Sequence, residues 1–433
     1  MKTINIGLLG FGTVGAGVVK GLRKNAALIR QRIGCELALT RIADVDTTRD
    51  RGVTLASGVL TNDAMSIIND PDIHIIIELI GGTGVAKKFV LAAIEAGKAV
   101  VTANKKLLAE YGAEIFGAAE RKGVDIYFGA SVGGGIPIIR VLREGLAGNE
   151  VRAMYGILNG TCNYILTRME REGADFDLVL KAAQEAGYAE ANPSLDIDGF
   201  DTAHKAAILA SLAYGFHLPA DHVCVEGIRD LSGVDVQFAR ELGYRIKLLA
   251  VIRREGGAIE VRVHPTLLPR ESMLGSVSGV FNAVLVRGDL TGDTLYYGRG
   301  AGSDPTASTV IGDLADIARN LLQGGPRHKR GVPQHDTVPR IRAMGELRTR
   351  YYLRLMVKDE PGTLGFITTA LGNRCVSLMA VTQREIPTSQ TVPVPIVVLT
   401  HEACEADLTA ALSDIVAAGM LCEAPVKLRV VDE

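Results

Sequence analysis

Excess charge of either sign, long apolar runs and paired cysteines are all scarce in this sequence. Lys and Arg number 47 against 49 Asp and Glu, a formal net charge of −2, which excludes bulk attraction to nucleic acid or an anionic membrane surface. The one basic cluster, Arg327-His328-Lys329-Arg330, sits between glycine- and proline-containing turns and reads as solvated linker. No apolar run reaches the roughly 20 residues of a membrane-spanning helix. The six cysteines show neither a close pair nor a metal-type spacing, so no disulfide framework or zinc site is expected. The opening stretch MKTINIGLLGFGTVG reads as a strand and lacks a signal peptide's charged start and cleavage region. The reducing cytoplasm is the expected location. Internal repeats and low-complexity segments are missing as well.

What is present is an ordinary α/β composition, 47% hydrophobic and 22% charged over 433 residues, with room for two to four domains. The first third alternates strand-like runs (INIGLLG, LALTRIADVD, HIIIELIGG, AVVTAN, VDIYFGAS) with helical patterns. Most of these runs are continuously apolar, as in parallel strands covered on both faces, and they predict a Rossmann-type doubly wound sheet. From about residue 150 the pattern becomes α+β, and a helix near 305–323 is placed to return to the first domain. The tail orders its elements βαββαβ, a ferredoxin-like pattern. The boundaries read as 1–130 with the return helix, 131–304, a linker at 324–348, and 349–433. The glycine- and proline-containing linker predicts a separable tail.

Gly10-x-Gly12-x-x-Gly15 follows an apolar strand and opens a helix. Such glycines permit a tight turn and let backbone N–H groups, here including Thr13 and Val14, approach a pyrophosphate. Asp44 ends the second strand, where a carboxylate takes a ribose hydroxyl and favours NAD. Arg41, Arg49 and Arg51 lie close enough in sequence to accept a ribose phosphate instead, so NAD and NADP both stay open. Asn104-Lys105-Lys106 ends another strand, at the sheet edge where ligands collect in such folds.

The stretch NPSLDIDGFDTAHKAAILASLAYG raises a different question. Asp196, Asp198 and Asp201 precede a nearly all-apolar helix that contains Lys205. A buried ammonium needs compensation, and one held beside a carboxylate can give its proton to a reacting oxygen. A plain i, i+4 salt bridge with Asp201 is the alternative. A calcium loop is disfavoured because the twelfth position from Asp196 is Ala207, not a bidentate Glu.

Taken in order, GFGTVG, ELIGG, VTANKKLLA, ASVGGGIPI, GILNGTCNYIL, GYAEANPSLDIDGFDTAHKAAILA and GRGAGSDPTASTVIGDL make the chain resemble homoserine dehydrogenase, in its single-activity form with a C-terminal ACT regulatory domain. The resemblance covers nearly the whole chain, and no aspartate kinase module precedes the dinucleotide domain. It implies interconversion of L-aspartate 4-semialdehyde and L-homoserine with NAD or NADP. It also implies Lys205 as proton donor, Lys105 between cofactor and substrate, and Glu190 as the acid that holds the substrate ammonium. Asp196 and Asp201 would complete the acidic pocket, Gly160 and Thr161 would line it, and Gly81 and Gly82 would join the cofactor set. The middle domain would mediate dimerisation, giving a homodimer or homotetramer, and threonine would be the effector of the tail. Members of the family bind Na+ or K+ through a Glu and backbone carbonyls. Here Val132, Gly134 and Ile136 keep the carbonyls, but Gly129 stands where the Glu belongs. Two other readings of the same motifs are a non-catalytic NAD(P)-binding amino-acid sensor and a related amino-acid dehydrogenase.

Overall fold

The computed structural model describes residues 2–324, 339–383 and 393–431. Residues 325–338 of the expected linker, with the basic cluster Arg327–Arg330, lie outside the described residues. Two compact units interleave along the chain. One comprises Met1–Ala153, Ala203–Val223 and Phe281–Val338, and the other comprises Met154–Thr202, Cys224–Val280 and Pro339–Glu433.

The first unit is built on a six-stranded sheet. Its strands are β1 (Thr3–Leu9), β2 (Glu36–Ala43), β3 (Leu60–Thr61), β4 (Ile75–Glu78), β5 (Ala99–Thr102) and β6 (Ile126–Tyr127), in the order β3-β2-β1-β4-β5-β6. Every pairing is parallel. The order reverses beside β1, the crevice where a dinucleotide lies in doubly wound sheets. The apolar runs form the core because both faces are covered. Ile4, Ile6, Leu8, Ile75, Ile77 and Val101 are buried together with Val18 and Val19 of the helix Thr13–Lys24. The helix Ser303–Gln323 adds Val310, Leu314 and Ile317 to the same cluster. Strand β3 went unseen in the sequence because two residues carry no periodicity.

The second unit centres on a mixed sheet. Its strands run in the order Val151–Ile157, Tyr244–Glu255, Ala258–Pro269, Val426–Val430, Arg348–Val357, Val394–Thr400 and Leu378–Gln383. The two longest form an antiparallel hairpin closed at Gly256-Gly257, both at positive φ, as a two-residue primed turn requires. In the tail, helices Thr363–Asn373 and Glu405–Ala417 cover a core of Leu353, Leu355, Ile367, Leu371, Ile396, Val398, Leu408 and Ile415.

The tail is not set apart from the rest of this unit. Thr266 and Leu267 pair in parallel with Arg429 and Val430 of its last strand. Polar contacts reinforce the join, with Arg354 bound to Asp235 and Arg429 bound to both Glu226 and Glu405. A linker read from composition says where the chain changes character. It does not say whether a strand beyond it returns to an earlier sheet edge.

Candidate active site

In the first unit each glycine of the dinucleotide loop has a distinct steric reason. Gly10 has φ +97°, and a Cβ there would lie 2.6 Å from the Leu79 backbone. A Cβ on Gly15 would lie 2.4 Å from the Gly10 carbonyl oxygen. At Gly12 a Cβ would meet nothing within 4 Å, leaving the open approach a pyrophosphate needs. Thr13, Val14 and Gly15 form the first helical turn, where N–H groups have no intrahelical acceptor and favour an anion.

Asp44 follows the end of β2 and is tied to this loop. Its Oδ2 accepts the Phe11 N–H at 2.6 Å and its Oδ1 accepts the Asp46 N–H at 2.9 Å. Of the three nearby arginines, Arg51 reaches it, with Nη2 3.2 Å from Asp44 Oδ1 and the guanidinium 5.1 Å from the Phe11 ring centroid. Arg41 turns instead to Ser66.

A second anchored turn faces the sheet edge one strand further on. Glu78, fully buried at the end of β4, accepts the N–H groups of Ile80 and Gly81 and the Thr102 hydroxyl, the last at 2.6 Å. Asn104 donates to the Gly82 carbonyl at 2.7 Å, and its side-chain oxygen caps the helix Lys105–Lys122 through the Leu107 N–H. Gly81 and Gly82, both at positive φ, are thereby fixed against the start of the helix that carries Lys105. The two lysines separate here, since Lys106 is exposed and pairs with Glu110 while Lys105 is half-buried. Glu78 and Thr102 were missed in the sequence. A carboxylate closing an apolar strand just before Gly-Gly is the signal that could have found them.

The Gly129–Ile136 segment is packed under the helix Ser303–Gln323. The Gly129 N–H donates to Asp313 Oδ2 at 2.9 Å, and the Thr309 hydroxyl donates to the Gly134 carbonyl at 2.7 Å. The Ile136 carbonyl accepts the Ile138 N–H. A Cβ on Gly129 would lie 2.9 Å from Asp313 Oδ1 and from Thr309 Cγ2. The space a side chain at 129 would use is already taken. With no carboxylate at 129, the segment offers less negative charge to Na+ or K+ than a site with a Glu there would. Among the described residues there is also no group of three or more His, Cys, Asp or Glu side chains able to hold a metal ion.

The acidic residues belong to the second unit. Asn159 caps the helix Gly160–Glu172 and donates from one amide nitrogen to Asp196 Oδ1 and Asp201 Oδ2, at 2.7 and 2.9 Å. Thr161 donates to the Tyr188 carbonyl at 2.7 Å, and the Tyr164 and Tyr188 rings pack 4.7 Å apart. These contacts pin the segment leading to Glu190, whose side chain is exposed and whose carbonyl accepts from Gln184. One turn into the same helix, Asn163 accepts from Lys247, which also donates to the Val277 carbonyl at 2.5 Å. Burial pushes the Lys247 ammonium down to about 8.

Asp201 lies in the first turn of the helix Phe200–Tyr214 and Lys205 one turn later, 4% and 8% exposed. The i, i+4 spacing puts both on one helical face.

Comparison with known proteins bears on this arrangement directly. Residues 10–129 match the homoserine dehydrogenase NAD binding domain, and residues 137–315 match the homoserine dehydrogenase family proper. The homoserine dehydrogenase of Neisseria gonorrhoeae is 47% identical over 421 residues, covering 96% of this chain and 95% of the relative. The chain belongs to the homoserine dehydrogenase family. A crystal structure of a homoserine dehydrogenase from Thiobacillus denitrificans is 46% identical, with a TM-score of 0.92 covering 100% of this chain and 99% of that one. A hyperthermophilic archaeal homoserine dehydrogenase solved with NADPH covers 76% of this chain and all of its own, at 26% identity and a TM-score of 0.63. As a family member the chain is an NAD(P)-dependent oxidoreductase. No helix among the described residues is long and apolar enough to cross a membrane.

Proposed function

We propose that this homoserine dehydrogenase reduces L-aspartate 4-semialdehyde to L-homoserine, and runs the reverse reaction, with Lys205 as the proton donor. The observation that carries the assignment is the helix Phe200–Tyr214, which sets a buried lysine one turn after a buried, amide-anchored aspartate. Bound NAD(P)H supplies the hydride. Charge then develops on the aldehyde oxygen, and Lys205 neutralises it by giving up its proton. Asp201 stabilises the ammonium form of that lysine beforehand. Glu190 provides the counter-charge for the substrate ammonium, with Asp196 completing the acidic lining and Gly160 and Thr161 offering the backbone and hydroxyl at the helix start. Lys105, at the head of its helix beside the anchored Gly81-Gly82 turn, is the group assigned between cofactor and substrate.

The Arg51 guanidinium beside Asp44 supports use of NADPH together with NADH. In the tail the four main strands lie in the order last, first, third, second. With their two helices they support its reading as an ACT domain, with threonine as the effector proposed for it. A homodimer or homotetramer and a cytoplasmic location complete the proposal.

The test is oxidation of NADH and NADPH with aspartate semialdehyde by the wild type and by Lys205→Ala. General acid catalysis is worth roughly 10²–10⁴-fold, so kcat should fall by that order with cofactor KM nearly unchanged. A variant keeping more than a third of wild-type turnover removes Lys205 from the mechanism. Glu190→Gln should raise KM for homoserine more than KM for cofactor.

A further inference from the structure

Asn159 is 4% exposed and uses all of its hydrogen-bonding groups on three different segments. Its Oδ1 accepts the Cys162 N–H at 2.8 Å, and its nitrogen donates to Asp196 Oδ1 at 2.7 Å and Asp201 Oδ2 at 2.9 Å. A primary amide has two hydrogens, so each carboxylate receives one. The neighbours dictate this orientation. Turned over, the amide would set its oxygen against two carboxylates and its NH2 against a backbone donor. The Cys162 thiol donates to the Asp196 carbonyl at 3.2 Å, a second tie from the same helical turn.

We infer that Asn159 is a positioning residue, a two-pronged clamp that sets the spacing of Asp196 and Asp201 and keeps both ionised. Two carboxylates on one small group repel, and such repulsion favours protonation of one of them. Two N–H donors shared between them oppose that, because hydrogen bonds to the charged form favour it. Arg229 pairs with Asp198 at 3.0 Å, and Lys205 follows Asp201 by one turn of its own helix. The inference rests on the reading of Asp196 and Asp201 as the acidic part of the substrate site.

Asn159→Asp separates clamp from cap. Aspartate is as good an N-cap as asparagine, so the Cys162 N–H keeps its acceptor while both donors are replaced by a third carboxylate. In the full-length enzyme, far-UV circular dichroism and cofactor KM should stay as in the wild type. The value of kcat/KM for homoserine should fall by about 10²-fold, the order that misplaced site groups cost. The acid limb of its pH profile should move up by about one unit, as the crowded carboxylates take up a proton. Wild-type kcat/KM and an unmoved pH profile in Asn159→Asp overturn the clamp and leave Asn159 a helix cap. If Asn159→Asp does not fold, Asn159→Ser keeps a capping oxygen without added charge. It should raise KM for homoserine and leave that for cofactor, and an unchanged KM overturns the inference. Asp201→Asn is the control. An impaired Asp201→Asn beside an unaffected Asn159→Asp overturns the clamp alone, whereas an unimpaired Asp201→Asn overturns the acidic-site reading and the clamp with it.

Discussion

Arg354 grips Asp235 from two sides of its guanidinium, Nε at 2.7 Å and Nη2 at 3.2 Å, and Asp235 is wholly buried. The same carboxylate closes the capping box of the helix Gly233–Glu241 with Ser232 and accepts the Tyr352 hydroxyl. One aspartate therefore organises both a helix start and the docking of the tail's first strand.

Removing the arginine alone should be costly. Arg354→Met strands a buried carboxylate, and breaking such a pair costs about 3–5 kcal/mol. The urea midpoint should fall with little change in its slope. A midpoint within error of the wild type would mean that water reaches Asp235. By the same reasoning a chain stopped near Gly345 should do more than lose a response to threonine. It gives up Arg354 and Arg429 and bares the Thr266–Leu267 end of one edge of Ala258–Pro269, so it should be recovered as aggregate.

Lys247 gives a pH signature of known sign. Burial lowers its folded-state pKa to about 8 from the ordinary 10.5. Between those values the unfolded chain holds a proton that the folded chain lacks, so stability rises with pH through that window. The gain amounts to at most about 3 kcal/mol. Chemical denaturation of the wild type and Lys247→Met across this range should show the rise only in the wild type. Parallel curves would sink the assignment.

The packing around Gly129 makes restoring the missing carboxylate harmful. In Gly129→Glu the new Cβ falls on Asp313 and Thr309, and overpacking of this kind costs about 1–3 kcal/mol. Its melting temperature should drop with no gain in cation response. Wild-type turnover should vary little with sodium or potassium at fixed ionic strength. A steep dependence in the wild type would reinstate the cation.

Arg51 should decide between the two cofactors. Arg51→Ala removes the guanidinium beside Asp44, which, with Asp44 at the proposed ribose site, should penalise a 2′-phosphate more than a hydroxyl. The ratio of kcat/KM for NADPH to that for NADH should fall. An unchanged ratio would pass the role to Arg49 or deny it to all three arginines.

Local patterns were legible, and long-range pairings were not. The glycine loop, the apolar parallel strands, Asn104-Lys105 and the helix bearing Asp201 and Lys205 each declare themselves within a few residues, through turn chemistry or periodicity. Asn159 looks like any N-cap until the fold brings Asp196 and Asp201 to its nitrogen. Glu78 needs Thr102, Asp235 needs Arg354, and Gly129 needs Asp313. Each pair joins segments whose separation no local propensity encodes. The tail's βαββαβ order could be read for the same local reason, whereas the return of its last strand to Ala258–Pro269 could not.

That return has a consequence for how the protein is made. Thr266 finds its strand partner in Arg429, so during synthesis the Thr266–Leu267 end of one edge of Ala258–Pro269 waits while all the chain between them is translated. The first unit waits too, because its core takes residues from the helix Ser303–Gln323. The first unit can close once that helix is made, but the second cannot until the last strand arrives, and its open strand end is a template for pairing with other nascent chains. Yield from a fast expression system should therefore improve more from slower translation or added chaperone than from any stabilising substitution within the dinucleotide-binding sheet.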